Sequence, residues 1–315
     1  MIKVEISSND AGQRLDRFLK KYLKRASLSG IYKIIRKDLK INGKRGKEDT
    51  VLAEGDQLTF YLSDERFAEL TAPVKSHRAR KQFKIAYEDE NVLIVEKPKG
   101  LLTHGDSHEK KNTLMNQVCG YLQDKGEYDP SQEKTFTPSP VNRLDRNTTG
   151  LVVFGKTAEA LRQLTKLIRE RDGISKFYIT IVKGRFNKEV TIEESLEKKA
   201  ETNTVRISSD GQSAKSIVRP LEISKDGRYS VVEVELVTGR THQIRVHLAG
   251  KGYPLIGDSK YGVKYPGVTT QLLHAYRLTF GEIDEEYAAL KGLAGLEVKA
   301  DIPEDFERVW EEINR

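Results

Sequence analysis

Cysteine is almost absent from the 315-residue sequence, since Cys119 is the only one. A single cysteine cannot form an internal disulfide, and no basic or histidine-rich context adjoins Cys119 that would activate its thiol. We interpret it as a small core residue. Long apolar runs are also missing: none approaches the roughly 20 residues that span a bilayer, and the N-terminus has no apolar stretch typical of a secretory signal. We therefore expect a cytoplasmic protein without a membrane segment.

Sequence motifs for metals and nucleotide cofactors are missing as well. None of the six histidines pairs with cysteine or a carboxylate at the spacing of a zinc site. The sequence has neither a GxxxxGKS/T loop nor a strand-linked GxGxxG. We expect a reaction that uses no metal and no cofactor, and we interpret His242 and His247 as structural residues.

The length predicts two domains, because 315 residues exceed a single average domain. The net charge of +7 is unevenly distributed along them. Residues 1–62 carry 14 Lys and Arg against 8 Asp and Glu. A basic block at one end is typical of a module that binds a phosphate backbone, although a solvated basic face on any small domain would look the same.

Residues 1–62 are predicted to form a small α+β unit. Leu15, Phe18 and Leu19 recur at helical spacing, and a second helix runs through Ile31 and Ile35. The segments RLDRFL, SLSGIYKIIRKDLKINGKR and VLAEGDQLTF resemble the alpha-L, or S-four-type, RNA-binding motif; a generic basic α+β domain is the alternative. The resemblance implies that basic residues on or beside the two helices contact RNA. These are Lys20, Lys21, Lys24, Arg25, Lys33, Arg36 and Lys37.

The second predicted domain covers residues 83–315. Residues 63–82 have no clean periodicity and contain Pro73 and a basic cluster from His77 to Lys81, which indicates a linker. Beyond it, strand-like runs interleave with helices without a regular βαβ period. We therefore predict an α+β body with a large mixed or antiparallel sheet flanked by helices. The predicted strands lie at 83–87, 92–95, 151–154, 178–182, 205–208, 216–222 and 230–237.

Three polar stretches of this body could carry chemistry. Residues 141–150 lead directly into an apolar strand, which puts Asp145 at the mouth of the core. Further along, Thr241 can cap a short helix on which Arg245 and Leu248 are i, i+3 neighbours, so that a cation and an apolar group face one pocket. Tyr178 enters a strand, where a phenol can project from a rigid element.

These stretches resemble the RluA-type family of pseudouridine synthases. The resemblance implies that Asp145 attacks C1′ of a uridine or otherwise assists N1–C1′ cleavage, after which the uracil rejoins through C5. Arg245 would pair with Asp145 and keep it ionised. Tyr178 would contact the flipped base and could take a proton, Leu248 would pack against the uracil, and Arg143 would hold the base out of its stack. The matching segments are LIVEKPKGLLTH (93–104), RLDRNTTGLVVFGKT (143–157), KFYITIVKG (176–184), TGRTHQIRVHLAGKGYPLIGDSKYG (238–262) and LHAYRLTF (273–280).

A separate RNA-docking module suits a large structured RNA, so we expect large-subunit (23S) ribosomal RNA as substrate and partner, modified by a monomeric enzyme. Two alternatives stay open: the same chemistry on transfer RNA, and a non-catalytic RNA-binding or ribosome assembly factor built on this fold. The presence of Asp145, Tyr178 and Arg245 argues against the second. Because water entering after bond cleavage would leave an abasic site, we also expect a dry pocket.

Overall fold

The computed structural model describes residues 1–72, 79–170, 173–199 and 201–315. Its N-terminal part is a three-stranded antiparallel sheet in which the last strand lies between the other two, with two helices packed on it. The residues that recur at helical spacing are the ones buried: Leu15, Phe18 and Leu19 are each 0% exposed. The elements are β1 (Ile2–Glu5), α1 (Leu15–Tyr22), α2 (Leu28–Lys37), β2 (Leu39–Ile41) and β3 (Gln57–Phe60).

The predicted linker begins with a helix that the sequence analysis missed. α3 (Asp64–Thr71) is capped by Ser63, whose hydroxyl accepts a hydrogen bond from the third backbone N–H that follows it. Leu70 is 3% exposed, and the ring of Phe67 packs on Phe60 at 5.1 Å between centroids. Only two apolar side chains anchor this helix, which is too few for a clear helical period. Pro73, His77 and the rest of residues 73–78 lie outside the described residues.

The body is built on one eleven-stranded mixed sheet, which confirms the predicted fold class. The strand order is β10-β9-β11-β12-β8-β13-β7-β5-β4, with β14 beside β13 and β6 beside β7. The pairing of β13 with β7 is parallel, and the other pairings are antiparallel. The strands are β4 (Lys84–Glu88), β5 (Val92–Lys97), β6 (Ser139–Pro140), β7 (Thr149–Gly155), β8 (Ile174–Lys183), β9 (Val190–Lys199), β10 (Thr204–Ile207), β11 (Gln212–Ile223), β12 (Tyr229–Leu236), β13 (Leu273–Phe280) and β14 (Glu297–Lys299).

Both faces of the sheet are covered at β5, the strand next to the edge strand β4. Four consecutive residues of β5, Val92 to Val95, are 0% exposed. Since successive side chains of a strand point to opposite faces, both faces of the sheet are covered here. Leu93 and Val95 belong to the core on one side, and Val92 and Ile94 to the core on the other. The covering helices are α4 (Leu114–Asp124), α5 (Ala158–Glu170), α6 (Gln243–Gly250), a 3-10 helix (Ala288–Leu293) and α7 (Glu304–Ile313).

Polar contacts hold the N-terminal part against a segment of the body, residues 129–137. The Thr135 hydroxyl donates to the carboxylate of Asp10 at 2.6 Å, and Gln13 donates to the same hydroxyl at 2.9 Å. Asp10 is 1% exposed, so this contact is buried. Lys134 adds a bond from its ammonium to the Glu5 carbonyl at 2.9 Å. Within the described ranges, the helices are all too short or too polar to cross a bilayer.

Candidate active site

A buried arginine near the start of α6 joins two carboxylates. Arg245 donates through Nη1 to Oδ2 of Asp145 at 2.9 Å, and through Nε and Nη2 to the two oxygens of Asp258 at 2.7 Å each. The Asp258 side chain is 0% exposed and that of Arg245 6%, whereas Asp145 keeps 23% exposure. The structure thus brings Asp145 and Arg245 together and leaves one carboxylate of the three charged groups facing solvent.

Asp258 was not among the residues that sequence reasoning selected. It is held by the Lys260 and Tyr261 backbone N–H groups, which donate to Oδ1 at 2.9 and 3.2 Å. Burial alone would raise the pKa of Asp258, but the hydrogen bonds and charge of Arg245, aided by the two N–H groups, lower it below its usual value. Asp258 is therefore a fixed anion that orients the guanidinium by a bidentate contact.

A cavity of about 630 Å³ opens above Asp145. Tyr178 on β8 forms one wall and is 5% exposed. Burial and the charge of Asp145 raise the pKa of Tyr178 above its usual range. Arg143, which is exposed, lies at the rim. Apolar side chains complete the lining: Leu144, Leu236, Ile244 and Leu273.

The position of Leu248 differs from the sequence prediction. Leu248 is 0% exposed in the core behind the cavity and is not one of the described residues that line it. Ile244, one residue before Arg245, supplies the apolar surface of α6 instead. The i, i+3 relation to Arg245 gives a common side of the helix, but Leu248 lies one turn further from the cavity mouth.

The start of α6 also differs from the prediction. His242, not Thr241, precedes the first helical residue, and its backbone has φ 54°, in the left-handed region. The ring of His242 lines the cavity with Nε2 3.8 Å from Asp145 Oδ2, which is too long for a hydrogen bond. Its Nδ1 contacts the hydroxyl of Tyr261 at 2.8 Å. The His247 side chain contacts Ser216 through Nδ1 at 3.1 Å, and burial lowers the pKa of His247 to about 4.

Lys97 supports the loop that carries Asp145. Its ammonium donates to the carbonyls of Pro98, Leu101 and Arg146 at 3.0, 2.8 and 3.0 Å. Lys97 is 1% exposed, and burial lowers its pKa to about 7, although the negative charge of Asp145 acts to raise it. Because Arg146 follows Asp145 directly, this lysine fixes the backbone on one side of the carboxylate.

The predicted residues fall into two groups in space. Asp145, Tyr178, Arg143 and Arg245 meet at the cavity. The seven cations that were predicted to contact RNA from residues 1–62 are all described, and none of them lines this cavity. In the described part of the chain, no group of three His, Cys, Asp or Glu side chains is placed to hold a metal ion.

Comparison with known proteins gives consistent results. Residues 91–250 match the family described as RNA pseudouridylate synthase. The ribosomal large subunit pseudouridine synthase C of Vibrio vulnificus is 30% identical over 97% of this chain and 94% of that protein. The protein of the same name from Salmonella typhi is 33% identical over 88% of each.

The solved structure of Human RNA Pseudouridylate Synthase Domain Containing 4 matches with a TM-score of 0.56 and 21% identity, covering 73% of this chain and 92% of that one. At this identity the likeness shows a shared fold alone. The two bacterial relatives and the matched family carry the assignment. The chain belongs to the RluA-type RNA pseudouridylate synthases and is an RNA uridine isomerase.

Proposed function

We propose that this enzyme converts uridine to pseudouridine in large-subunit (23S) ribosomal RNA, with Asp145 as the catalytic carboxylate. The observation that carries the catalytic part is the arrangement of Asp145. It is the half-buried member of a charged triad, with its side chain 23% exposed, and the other members, Arg245 and Asp258, are buried. A carboxylate so fixed at the floor of a cavity can act on an electron-poor C1′ without losing its orientation.

The remaining residues of the cavity take complementary roles in this proposal. Arg143 at the rim holds the uridine out of its stack, and Arg245 keeps Asp145 charged and oriented. The raised pKa of Tyr178 keeps its phenol protonated at neutral pH, so it contacts the base through its O–H instead of taking up a proton. In this proposal Asp145 bonds to C1′ as the N1–C1′ bond breaks, and the electron pair of that bond stays on the uracil, which turns within the cavity. C5 then bonds to C1′ as the bond between Asp145 and C1′ breaks. The C5 proton passes to the regenerated carboxylate and on to solvent, while N1 takes up a proton.

The RNA target is proposed from the relatives and the charge of the N-terminus. Both bacterial relatives are named as large-subunit ribosomal enzymes. We assign residues 1–62 as an S-four-type RNA-binding domain, extend it by α3, and take residues 83–315 as the catalytic domain. The cations of the N-terminal domain would contact the RNA backbone, at positions 20, 21, 24, 25, 33, 36 and 37. A ribosomal RNA substrate would place the enzyme in the cytoplasm, and we propose separately that it acts as a monomer.

The test replaces Asp145 by asparagine, which keeps the size of the side chain and removes its charge. RNA labelled with tritium at uracil C5 should release tritium with the wild-type enzyme, because C5 exchanges hydrogen for C1′. Asp145→Asn should abolish release while RNA binding stays within about threefold. Asp210→Asn, in an exposed turn between β10 and β11, is the matched control and should behave as wild type.

Three results would contradict parts of the proposal. Turnover near the wild-type rate in Asp145→Asn would remove Asp145 from the chemistry. Pseudouridine mapping in a strain that lacks the protein should show unmodified sites in 23S ribosomal RNA; losses confined to transfer RNA would move the substrate to that class. Unchanged pseudouridines in both RNAs would favour a non-catalytic assembly factor.

A further inference from the structure

A second cavity of about 320 Å³ lies between the N-terminal part and the body. Lys21 and Lys24, at the end of α1, form one side, and Lys134 with Tyr128 belongs to the other. Lys21 donates to Gln13 at 2.9 Å and Lys134 to the Glu5 carbonyl, so each ammonium has further N–H groups to offer. We call this cavity the interdomain groove.

The interdomain groove and the active-site cavity share two walls. Thr137 and Ser139 line the groove, and the next residues along the chain, Pro140 and Val141, line the active-site cavity. On α5, Leu161 lines the groove, whereas Ile168 and Arg169 line the active-site cavity. Leu161 and Ile168 are seven residues apart, so they lie on the same face of α5, about 10 Å from each other along its axis.

Cations lie at both ends of this path. Arg143 and Arg169 lie at the active-site end, with the Arg169 side chain 74% exposed, and three lysines lie in the groove. One carboxylate, Glu133, is found among the described residues that line the groove, where Asn9 donates to it at 3.4 Å. Asp10, which lies behind Lys134, adds a second carboxylate, with Oδ2 3.8 Å from that ammonium. Three ammonium groups against two carboxylates still leave a positive balance that favours a polyanion, and the ring of Tyr128 in the groove can contact a base.

We propose that the interdomain groove binds the backbone of the same RNA strand that delivers its uridine to Asp145, so that groove and cavity form one RNA track along α5. The proposal rests on the proposed function for the identity of the ligand, since it assumes that RNA occupies the active-site cavity. It assigns a specific task to Lys21 and Lys24 and adds Lys134, from the catalytic body, to the RNA-binding surface. The polar contacts of Thr135 with Asp10 and Gln13 keep the two sides of the groove at a fixed separation.

The experiment measures binding of a fluorescein-labelled 20-nucleotide oligouridylate by fluorescence anisotropy over a series of KCl concentrations. Lys24→Gln removes one exposed cation. Each lost phosphate contact reduces the salt slope by about 0.7 for single strands, which corresponds to about fivefold weaker binding at 0.1 M salt. Glu133→Gln removes the opposing charge and should strengthen binding. Lys225→Gln, in the exposed turn between β11 and β12, is the control and should change neither quantity.

The RNA track would be supported if Lys24→Gln weakened binding of the oligouridylate and Glu133→Gln strengthened it. Photo-crosslinks from a 4-thiouridine-substituted 20-mer to residues 128–139 are expected as well. The track would be overturned if both variants matched Lys225→Gln, or if the crosslinks fell only outside the groove. Tritium release by the wild-type enzyme is measured separately. Its absence would refute the proposed function, whereas the binding pattern alone decides whether the groove holds RNA.

Discussion

Replacing Asp258 by asparagine tests whether a buried anion orients Arg245 at the cavity. One oxygen of Asp258 accepts a hydrogen bond from Arg245 Nε and the other accepts one from Nη2, both at 2.7 Å. The remaining nitrogen of the guanidinium, Nη1, donates to Asp145. Asparagine keeps the shape of the side chain but has no charge and only one acceptor oxygen. One of the two short bonds is therefore lost, and the amide N–H₂ that replaces it faces a guanidinium donor.

The expected loss of stability follows from the burial of the pair. Breaking a buried ion pair by removing one partner costs about 3–5 kcal/mol, because it leaves an uncompensated charge. Here Arg245 retains Asp145 as a second anionic neighbour, so we expect a value at the lower end, about 3 kcal/mol. For catalysis, a shift of about 1 Å in a positioning group can cost roughly 100-fold. Because Asp258 is not among the described residues of the cavity lining, the loss should fall on kcat and leave KM nearly unchanged.

The measurements are the free energy of unfolding in urea and the steady-state rate of tritium release, with Asp210→Asn as the matched surface control. Asp258→Asn should unfold at lower urea concentration and turn over about 100-fold more slowly than the control. A variant with less than 1 kcal/mol of destabilisation and a kcat within threefold of wild type would refute the reasoning, since it would show that Asp145 alone positions Arg245.

Two further variants test other buried groups. Lys97→Met leaves three carbonyls without their donor, so we expect about 3 kcal/mol of destabilisation in urea and a reduced kcat, because the Arg146 carbonyl adjoins Asp145. For His274, burial lowers the pKa to about 4, so its imidazole stays neutral in the folded protein while the unfolded chain takes up a proton near pH 6.5. The contribution of His274 to stability should therefore fall by up to about 3 kcal/mol between pH 6.5 and 4. Because the pKa of His247 is lowered similarly, His274→Gln should reduce the pH dependence of urea unfolding by that amount and leave the part due to His247; equal slopes for the variant and the wild type would contradict it.

The fold class and the position of Asp145 at a cavity could be predicted because their signals are local. The apolar strand β7 and the polar residues before it are contiguous, which placed Asp145 at the edge of the core. Local sequence patterns did not predict β9, because a run of charged residues interrupts its alternation. They did not predict α3 either, because the packing of that helix depends on Phe60, which belongs to a preceding strand. It also placed Leu248 at the cavity, since helical spacing gives the side of a helix but not its depth in the protein.

Asp258 was missed for a related reason. Its partner Arg245 is 13 residues away and Asp145 another 100, so the charged triad exists only after the sheet has formed. A lone aspartate between glycine and serine gives no periodic signal. The segment GDSKYG belongs to a motif that resembles the family, but similarity in sequence does not show which side chain the Asp258 carboxylate contacts.

The triad explains why the cation at position 245 is an arginine. A guanidinium is planar, and its N–H groups point in fixed directions. Once Asp258 occupies the edge formed by Nε and Nη2, the direction of Nη1 is determined, and Asp145 receives its hydrogen bond at an angle set by a residue that is 0% exposed. A lysine ammonium has rotatable donors and could satisfy either carboxylate without constraining the other. The orientation of Asp145 toward the cavity therefore depends on the geometry of the guanidinium as well as on its charge.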